Sequence, residues 1–494
     1  MQNKRKPRYI DLFAGCGGLS LGLELAGFKR AFAVEKSVEA AATFSHNFID
    51  SHASARQWSE DCREGGDKRA ILSSQLKKGL VTMDVAEVAD LLEDPAFRDE
   101  HADKFSDIDL VAGGPPCQGF SLAGRRHGAD KRNTLVWQFF RIVKVLKPRL
   151  VLIENVEGMT RKFSARDTHS PIKRIIDEVA ALGYDVQPVL LNARNYGVPQ
   201  NRSRIFIIGR RTRDGSDGLA AHEMLSRENS HQIRAKSRLQ VLPPEEKLEV
   251  SVRDAIADLR TDGSVRGRKP SEYVLGLNKS VKGIGVLTHR ESGGALHNHE
   301  FRKHSRKTEA RFRFIQLLEG HGISRDVLYW SGMGQEDNLR QEVAGHGAWR
   351  WRELAKVCCS DERFADYLPS SSESIFELFS PLVNAFSSKK HSQRVLRQKS
   401  VSFTVMTIPD DYIHYCEPRV LTVREQARLQ SFPDAFEFIG RVTTGGARRK
   451  IMVPQYTQVG NAVPPLLAKA IGHHLVALLS EMRTNHFWEK QVIE

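Results

Sequence analysis

The sequence is poor in cysteine and contains no long apolar run, and each absence narrows the class of protein. Only 6 cysteines occur among 494 residues, which excludes a dense disulfide scaffold, and none stands in the CxxC pairs of a zinc site. No apolar stretch is long enough to cross a bilayer, and none follows the basic N-terminus as a signal peptide would require. We therefore expect reduced thiols and a soluble, cytoplasmic protein.

Acidic residues are outnumbered by basic ones. The chain contains 74 lysines and arginines against 60 aspartates and glutamates, which gives a formal net charge of +14. Such a surplus favours a polyanionic partner, because contacts to phosphate groups use lysine and arginine. A soluble protein that is merely basic is the alternative. The chain is long enough, and with 40% hydrophobic residues apolar enough, for two or three globular domains.

Short apolar runs alternate with helical patterns in residues 1–210. Strands separated by helices predict an α/β domain with a mostly parallel sheet covered on both faces. Residues 50–80 interrupt this pattern with a polar, charged stretch, which we interpret as a surface insertion. The alternation is lost in residues 211–418, which predicts a separate domain, and residues 419–494 are expected to return to the first domain.

The individual elements follow from hydrophobic spacing and from capping signals. Thr422 and Glu425 have the spacing of a capping box, and Pro464 and Pro465 mark the start of a longer helix. The expected strands are Tyr9–Phe13, Ala31–Glu35, Ile108–Ala112, Leu150–Ile153 and Ile205–Gly209; the expected helices are Leu19–Ala26, Val38–Phe48, Thr422–Ser431 and Val463–Leu479.

A glycine-rich turn, DLFAGCGG at residues 11–18, connects the first expected strand to the first helix. Its G-x-G-G spacing departs from the G-x-G-x-x-G of dinucleotide sites, since Ser20 occupies the place of the third glycine, and it suits an adenosine ligand without phosphates. Glu35 ends the second strand and can accept hydrogen bonds from ribose hydroxyls. Asp84 is a candidate acceptor for an adenine amino group. The alternative is a tight structural turn beside solvated acids.

Cys117 follows the fourth expected strand within GGPPCQGFS. A cysteine held by two prolines at a strand end is well placed to act as a nucleophile, provided that the site stabilises its thiolate. Glycines recur in the residues that follow, as expected of a mobile lid over about 118–133. The alternative is a buried structural cysteine in a proline-rich turn.

An acid and two arginines accompany this cysteine. Glu154 ends the fifth expected strand, where burial would raise its pKa and favour proton donation. Arg202 and Arg204 share one face of the extended segment before Ile205–Gly209, so that one can point into the site while the other supports it. A capping or salt-bridging acid and an exposed basic edge are the alternatives. Together, a thiol, an acid and a guanidinium at consecutive strand ends favour covalent attack on a heterocycle.

In these motifs the chain resembles the cytosine-C5 DNA methyltransferase family of the prokaryotic restriction–modification type. The resemblance covers roughly residues 8–210 and 400–475 and follows the family's usual motif order. It is carried by DLFAGCGGLSLGLELAGF, GGPPCQGFS, ENVEGM, NYGVPQNRSRIFIIG, RVLTVREQARLQSFPD and QVGNAVPPLLAKAIG.

The resemblance implies an S-adenosylmethionine-dependent enzyme with a Rossmann-like fold and no metal. Cys117 would attack C6 of a cytosine flipped out of duplex DNA, Glu154 would contact N3 and the amino group, and Arg204, supported by Arg202, would contact O2. Asn461 would close the pocket from the C-terminal side. The implied cofactor-binding residues are Phe13, Ala14, Gly15, Gly17, Glu35, Asp84, Pro115 and Asn461.

The long segment 211–418 stands where this family carries its target recognition domain. Two basic clusters within it are candidate phosphate contacts, with a solvated helix face as the alternative. His297-Asn298-His299 resembles a nuclease or metal motif only superficially, because no matching ligand set lies nearby. The first cluster comprises Arg302, Lys303, Arg306, Lys307, Arg311 and Arg313, interleaved with Phe301, Phe312 and Phe314; the second comprises Lys389, Lys390, His391, Arg394, Arg397 and Lys399.

The expected partners are duplex DNA, which would bring a monomeric enzyme to the nucleoid, and a cognate restriction endonuclease acting on the same site. A tRNA cytosine methyltransferase of the same fold is an alternative, although the large segment 211–418 argues against that compact branch. A non-catalytic DNA-binding relative is disfavoured by the intact Cys117, Glu154 and Arg204. The Pro-Pro-Cys motif disfavours an amino-group DNA methyltransferase, and the incomplete glycine fingerprint disfavours a dehydrogenase.

Overall fold

A computed structural model of the chain describes most of its residues. The predicted nucleophile Cys117, the predicted lid 118–133 and residues 389–391 of the second basic cluster lie outside the described residues. The described ranges are 5–50, 67–116, 135–160, 170–212, 217–224, 249–261, 269–281, 284, 287, 296–345, 348–388, 392–445, 448 and 451–491.

A seven-stranded sheet dominates the first part of the described chain. The strands are β1 (Arg8–Leu12), β2 (Lys29–Val34), β3 (Leu80–Val81), β4 (Leu110–Gly113), β5 (Leu150–Asn155), β6 (Tyr184–Asn192) and β7 (Ser203–Arg211). Their order is β3-β2-β1-β4-β5-β7-β6, and all neighbours are parallel except β7, which runs antiparallel to β5 and to β6. The predicted mostly parallel sheet is confirmed. Strand β6 was not predicted; it contains Pro188, which an edge strand tolerates.

Helices cover both faces of this sheet. Alternate residues of β5 enter different cores: Val151 and Ile153 join one cluster, whereas Leu150 and Leu152 join the cluster on the other face. This period of two is what a strand buried on both faces requires. The helices of this part are α1 (Gly18–Leu25), α2 (Val38–Phe48), α3 (Lys68–Lys78), α4 (Val85–Glu93), α5 (Pro95–Glu100), α6 (Ala102–Phe105), α7 (Leu135–Leu146) and α8 (Pro171–Ala181).

The rest of the described chain is mainly helical. Its elements are α9 (Val252–Ile256), α10 (Glu272–Ser280), α11 (Arg306–Gly320), α12 (Asp326–Gly332), α13 (Glu336–Ala344), α14 (Ala348–Ser360), α15 (Ile375–Ala385), the short strands β8 (Arg394–Val395) and β9 (Tyr412–Ile413), α16 (Val423–Leu429), α17 (Gln455–Asn461) and α18 (Pro465–Gln491). Helices α11–α15 bury a core of their own, which includes Phe314, Trp351 and Phe379. By contrast, Val252 and Ile256 of α9 pack with residues of α2 and α16. Ala220 and Met224 pack against the main core of the sheet. The described parts of 211–418 therefore contribute to three cores.

The predicted surface insertion is wrong for residues 67–80. Helix α3 buries Leu72 and Leu76 completely in the main core, and Leu80 begins strand β3. These two leucines, four residues apart, lie on one face of a helix whose other residues are mostly charged or polar, so the local composition concealed a core element.

The C-terminal helices also correct one expectation. The stretch Gln455–Arg483 is long and apolar enough to cross a membrane by length and composition, although no such run was expected, and 61% of its most apolar window is buried. Helix α18 packs against α1, and Leu467, Ile471 and Leu475 are buried there. The apolar length thus reflects a helix in the protein core.

Helix α16 begins with the predicted capping box. The Thr422 Oγ1 accepts a hydrogen bond from the Glu425 amide at 3.2 Å, and a Glu425 carboxylate oxygen accepts one from the Thr422 amide at 2.8 Å. Two amides that the helix itself leaves unpaired are thereby satisfied.

Candidate active site

The predicted site residues meet at one edge of the sheet because of the direction of β7. Parallel strands β1, β2, β4 and β5 all end at this edge, whereas β7 begins there. Glu154 of β5 is paired in register with Phe206, so that Arg204, two residues before Phe206, lies diagonally across from Glu154 on the same face. An arginine at the start of β7 and an acid at the end of β5 therefore become neighbours.

The glycine-rich turn after β1 has a left-handed backbone at several positions. Phe13 has a φ of 63° and Gly15 a φ of 57°; such a conformation is strained for a residue with a side chain. A Cβ added to Gly15 would meet no protein atom within 4 Å, whereas one added to Gly17 would clash with Phe48. Packing thus requires glycine at position 17. At position 15 the turn is open, as close approach of a ligand would need.

Glu35 ties this turn to the start of α2. One of its carboxylate oxygens accepts a hydrogen bond from the Gly15 amide at 2.8 Å, and the other accepts one from the Ser37 amide at 2.7 Å. Burial raises the pKa of the Glu35 carboxyl, and hydrogen bonds from backbone amides oppose that rise. Each carboxylate oxygen keeps a further lone pair, so the group can still accept hydrogen bonds from two hydroxyls.

Asp84 caps helix α4, a role that the sequence did not suggest. Its side chain accepts a hydrogen bond from the Ala86 amide at 2.9 Å and forms an ion pair with Lys36 Nζ at 2.8 Å. Partial burial is the largest single influence and raises the pKa of the carboxyl, but the hydrogen bonds from Lys36 and the Ala86 amide, together with the charge of Lys36, outweigh it, so that the net pKa is lowered. The adenine contact of Asp84 stays a prediction.

Glu154 and Arg204 form an ion pair with Arg204 Nε and Glu154 Oε1 3.1 Å apart, and both side chains are largely buried. Burial raises the pKa of Glu154, against the lowering effect of the positive charges of Arg204 and Arg202. A Cβ added to Gly114 would lie 3.0 Å from the other Glu154 oxygen, so this carboxylate lies directly against the end of β4. The chain continues from there through Pro115 and Pro116 into Cys117.

The two arginines have different partners. Arg202 donates to the backbone carbonyls of Val405, Gly460 and Ala462 at 3.4, 3.0 and 3.2 Å, and it is buried. Burial lowers the pKa of Arg202, and the charge of Arg204 lowers it further. The hydrogen bonds of Arg202 hold the backbone around α17, and its support of Arg204 stays a prediction.

Asn461 ends helix α17, and its side chain is exposed. The following residues lie behind the glycine-rich turn, since a Cβ on Gly18 would clash with the Val463 carbonyl and lie 3.2 Å from Ala462 Cβ. Asn461 therefore belongs to the turn that borders the N-terminus of α1. Its closure of the pocket from the C-terminal side stays a prediction.

Three supporting residues carried no predicted role. Asn155 donates through Nδ2 to the Pro115 carbonyl at 3.3 Å, which ties the end of β5 to the segment before Cys117. Gln200 and Gln430 bond to each other at 2.8 Å in the interior. The signal for all three was available in principle: a polar residue inside an apolar motif must find partners when it is buried.

The His297-Asn298-His299 motif has structural partners. The Asn298 side chain exchanges two hydrogen bonds with the Phe438 backbone, at 2.8 and 2.9 Å. The His299 ring contacts Thr422 Oγ1 at 2.9 Å and the Leu259 carbonyl at 3.1 Å. Burial lowers the pKa of His299, which favours the neutral ring. The motif connects 296–300 to the C-terminal segment.

A buried acidic cluster elsewhere has the composition of a metal site. Ligand atoms of His414, Glu417 and Glu425 lie within 4.8 Å of one another. The Arg419 guanidinium already bonds to both carboxylates, at 2.6 Å to Glu417 and 2.7 Å to Glu425. The positive charge that such a pair of carboxylates requires is therefore supplied by an arginine.

The two basic clusters differ in the ion pairs that their side chains form within the protein. In the first cluster, Arg302 pairs with Asp410 and Arg313 pairs with Asp361, while Phe312 and Phe314 are buried in the core. In the second cluster, the described residues Arg394, Arg397 and Lys399 are exposed, and the Arg394 guanidinium lies over the Phe403 ring, 5.0 Å from its centroid.

Comparison with known proteins decides the family. The chain matches the C-5 cytosine-specific DNA methylase family over residues 7–64 and 91–477. The chain belongs to this family. It is a DNA (cytosine-5-)-methyltransferase, and the family uses S-adenosylmethionine as its methyl donor.

Among curated proteins, the type II methyltransferase M.DdeI of Desulfomicrobium norvegicum is 29% identical, with 94% of this chain and 88% of that protein covered. The type II methyltransferase M.AgeI of Thalassovita gelatinovora is 28% identical over 95% of this chain and 99% of that protein. A crystal structure described as a DNA modification methyltransferase encoded within an E. coli prophage shares the fold, with a TM-score of 0.56, 22% identity and coverage of 96% and 99% of the two chains.

Proposed function

We propose that this methyltransferase acts on a cytosine flipped out of duplex DNA through a transient covalent bond between Cys117 and C6 of the base. The proposal rests on the Glu154–Arg204 pair, which lies at the sheet edge beside Gly114. Gly114 precedes Cys117 by three residues in the sequence. A carboxyl donor and a guanidinium side by side match N3 and O2, which are adjacent acceptors on one edge of cytosine.

The chemistry follows from the weak nucleophilicity of C5. Addition of the Cys117 thiolate to C6 moves electron density to C5, while a proton from Glu154 at N3 neutralises the ring. Arg204 holds O2 and stabilises the negative charge that develops there. After methylation, loss of the C5 proton to a base, departure of the cysteine thiolate and return of the N3 proton to the Glu154 carboxylate restore the neutral aromatic ring. Because the base must leave the stack to be reached, the reaction requires base flipping.

The glycine-rich turn and Glu35 fit S-adenosylmethionine. The turn is open at Gly15, and the Glu35 carboxylate retains acceptor capacity for the two ribose hydroxyls after bonding to the Gly15 and Ser37 amides. Phe13, in its strained conformation, would contact the adenine or the methionine part of the donor. When bound, this donor supplies an electrophilic methyl group on a positively charged sulfur.

DNA is expected to approach along the segment that follows the second basic cluster. Residues 402–404 are bonded to the loop before β7: the Asn201 amide donates to the Ser402 carbonyl at 2.8 Å, and Thr404 Oγ1 donates to the Asn201 carbonyl at 2.8 Å. Arg397 and Lys399 are exposed a few residues earlier. Their charges would therefore contact phosphates near the flipped nucleotide, whereas helices α11–α15 would contribute to recognition of the target sequence.

The curated relatives are named type II methyltransferases. By analogy, we propose that this enzyme protects cytoplasmic DNA within a restriction–modification pair, together with an endonuclease that cuts the same unmethylated sequence. The target sequence would be set by the region 211–418.

The test is methyl transfer from labelled S-adenosylmethionine to unmethylated duplex DNA, with tRNA and a Cys117→Ser variant in parallel. Transfer to duplex DNA that the variant has lost, mapped to 5-methylcytosine in one sequence context, supports the proposal. Duplex DNA containing 5-fluorocytosine should accumulate a covalent complex, because fluorine at C5 cannot leave as the proton does. Methyl transfer to tRNA alone would identify RNA, and not duplex DNA, as the substrate. Unchanged activity of Cys117→Ser would refute the covalent step.

A further inference from the structure

Arg202 lies buried among backbone carbonyls that belong to two separate segments. It donates through Nη2 to the carbonyls of Gly460 and Ala462, at the end of α17, and through Nη1 to the Val405 carbonyl. Carbonyls at the C-terminus of a helix lack intrahelical partners and carry partial negative charge, so a cation there satisfies and stabilises them. Arg202 therefore acts on the conformation of the backbone around Asn461.

Two glutamines extend this arrangement. Gln430 donates through Nε2 to the Val459 carbonyl at 2.8 Å and accepts from Gln200 Nε2 at 2.8 Å. Gln200 also accepts from the Val405 amide at 2.8 Å, so that Gln200 and Arg202 together hold both polar groups of that residue. We call these three side chains, Gln200, Arg202 and Gln430, the buried polar triad.

The backbone held by the buried polar triad is packed directly against the glycine-rich turn. The Val463 carbonyl and Ala462 Cβ occupy the space beside Gly18, where a Cβ would clash with the carbonyl. On the same side, Cys16 Sγ lies 3.6 Å from the Gln458 carbonyl of α17. A shift of α17 or of residues 460–463 would therefore be transmitted to the turn.

We propose that the buried polar triad positions the cofactor site: by fixing the end of α17 and the turn around Asn461, it holds the glycine-rich turn in its binding conformation. Arg202 is then a positioning residue for the methyl donor, whereas Arg204 is the arginine that faces the target base. The proposal rests on the cofactor site given under the proposed function. It also explains why two arginines in one extended segment have unlike surroundings.

The experiment compares Arg202→Met, Arg202→Lys and Gln430→Met with an unrelated buried arginine. Arg424→Met is the matched control, because Arg424 is also fully buried and also donates to backbone carbonyls, those of His297, Pro433 and Phe436. Equilibrium binding of S-adenosylhomocysteine, the demethylated donor, is measured without DNA. The thermal midpoint, kcat and KM at saturating DNA are measured for the same proteins.

We expect Arg202→Met and Gln430→Met to weaken S-adenosylhomocysteine binding about tenfold, with Arg202→Lys intermediate because it keeps the charge but not the two-pronged geometry. At saturating donor, kcat should stay within about threefold of the wild type. The Arg424→Met control should lose a similar amount of thermal stability without a change in S-adenosylhomocysteine affinity. If Arg202→Met is too unstable to purify, Arg202→Lys and Gln430→Met carry the same comparison.

Unchanged S-adenosylhomocysteine affinity in the triad variants, or an equal loss in Arg424→Met, would overturn the proposal. A large fall in kcat with unchanged donor affinity would do so as well, since it would return Arg202 to a direct catalytic role. Failure of the wild type to bind S-adenosylhomocysteine would instead remove the proposed cofactor site itself, and the inference with it.

Discussion

Glu154 and Arg204 meet because their strands run in opposite directions. Glu154 is the fifth residue of β5 and Arg204 the second of β7, and the antiparallel register brings Nε and Oε1 to 3.1 Å. In a fully parallel sheet, an arginine at the start of a strand would lie at the opposite edge from an acid at the end of its neighbour. The reversal of β7 is thus a condition for the proposed base-binding pair.

Replacing Glu154 by Gln should remove its ability to donate a proton while keeping its shape. We expect kcat to fall by about 10²–10⁴-fold, with S-adenosylhomocysteine binding unchanged, in steady-state assays on duplex DNA. Glu157→Gln, an exposed acid three residues later, is the control and should retain full activity.

The Glu154→Gln variant also tests how activity depends on pH. Burial raises the pKa of Glu154, so its protonated form persists to higher pH than that of an exposed glutamate and is lost as pH rises through the raised pKa. In a plot of activity against pH, the wild type should lose activity at alkaline pH. The residual activity of Glu154→Gln should not show this alkaline loss. The same loss of activity at alkaline pH in both proteins would show that a group other than Glu154 titrates there.

Glu35→Gln should weaken binding of the methyl donor. The substitution replaces one acceptor oxygen by an amide that faces either the Gly15 or the Ser37 backbone donor, and it removes the charge that strengthens the ribose contacts. We expect the S-adenosylhomocysteine dissociation constant to rise about 10- to 100-fold in calorimetric titrations. Glu39→Gln, in the first turn of α2, is the control; equal losses in both variants would argue against a ribose contact of Glu35.

Local patterns predicted those parts of the fold that depend on neighbouring residues. Helix α2 has the predicted bounds Val38–Phe48, and the capping box of Thr422 and Glu425 is present, because both are set within a few residues of the chain. The order of the motifs likewise indicated which strand ends carry Glu35 and Glu154.

Features that depend on distant partners were not predictable in the same way. The partners of Arg202 are 203 to 260 residues away in sequence, and no periodicity reports them. Burial of Leu72 and Leu76 in α3 depends on the sheet against which that helix packs, since its composition is that of a surface helix. The edge strand β6 was missed because its Pro188 reads as a break until its place at the sheet edge is known.

Asp11, in strand β1 at the start of the glycine-rich turn, should make the stability of the protein fall as pH rises. Burial raises its pKa to about 7, although a hydrogen bond from Ser20 Oγ at 2.6 Å opposes the rise. The folded state binds the proton of Asp11 more tightly than the unfolded state does. The contribution of protonated Asp11 to the free energy of unfolding is therefore fully present below the pKa of aspartate in the unfolded chain. It is lost between about pH 4 and pH 7, at roughly 1.4 kcal/mol for each unit by which the pKa is raised.

Chemical denaturation from pH 5 to pH 8 would measure this effect. The stability of the wild type should decline relative to that of Asp11→Asn, which keeps an acceptor for Ser20 but has no proton to lose. Asp103→Asn, at an exposed position, should follow the wild type. Parallel profiles for wild type and Asp11→Asn would show that Asp11 does not titrate in this range.

Removing the charges of Arg397 and Lys399 should weaken DNA binding in a salt-dependent manner. Both side chains are exposed, and the segment that follows them is bonded to Asn201 in the loop before β7, so we expect them to lie near the entering base. Each lost phosphate contact should reduce the slope of log K against log salt concentration by about 0.9. The double substitution Arg397→Gln with Lys399→Gln should therefore lower the slope by about 2, measured by fluorescence anisotropy on duplex DNA.

Lys29→Gln provides the matched control for this measurement. Lys29 is exposed at the amino-terminal end of β2, the edge of the sheet opposite the site, so its loss changes the net charge without removing a contact near the base. The slope for Lys29→Gln should equal that of the wild type. A similar loss of slope in Lys29→Gln and in the double variant would reflect the total charge of the protein. An unchanged slope in the double variant would exclude Arg397 and Lys399 as phosphate contacts. Helices α11–α15 would then have to supply those contacts.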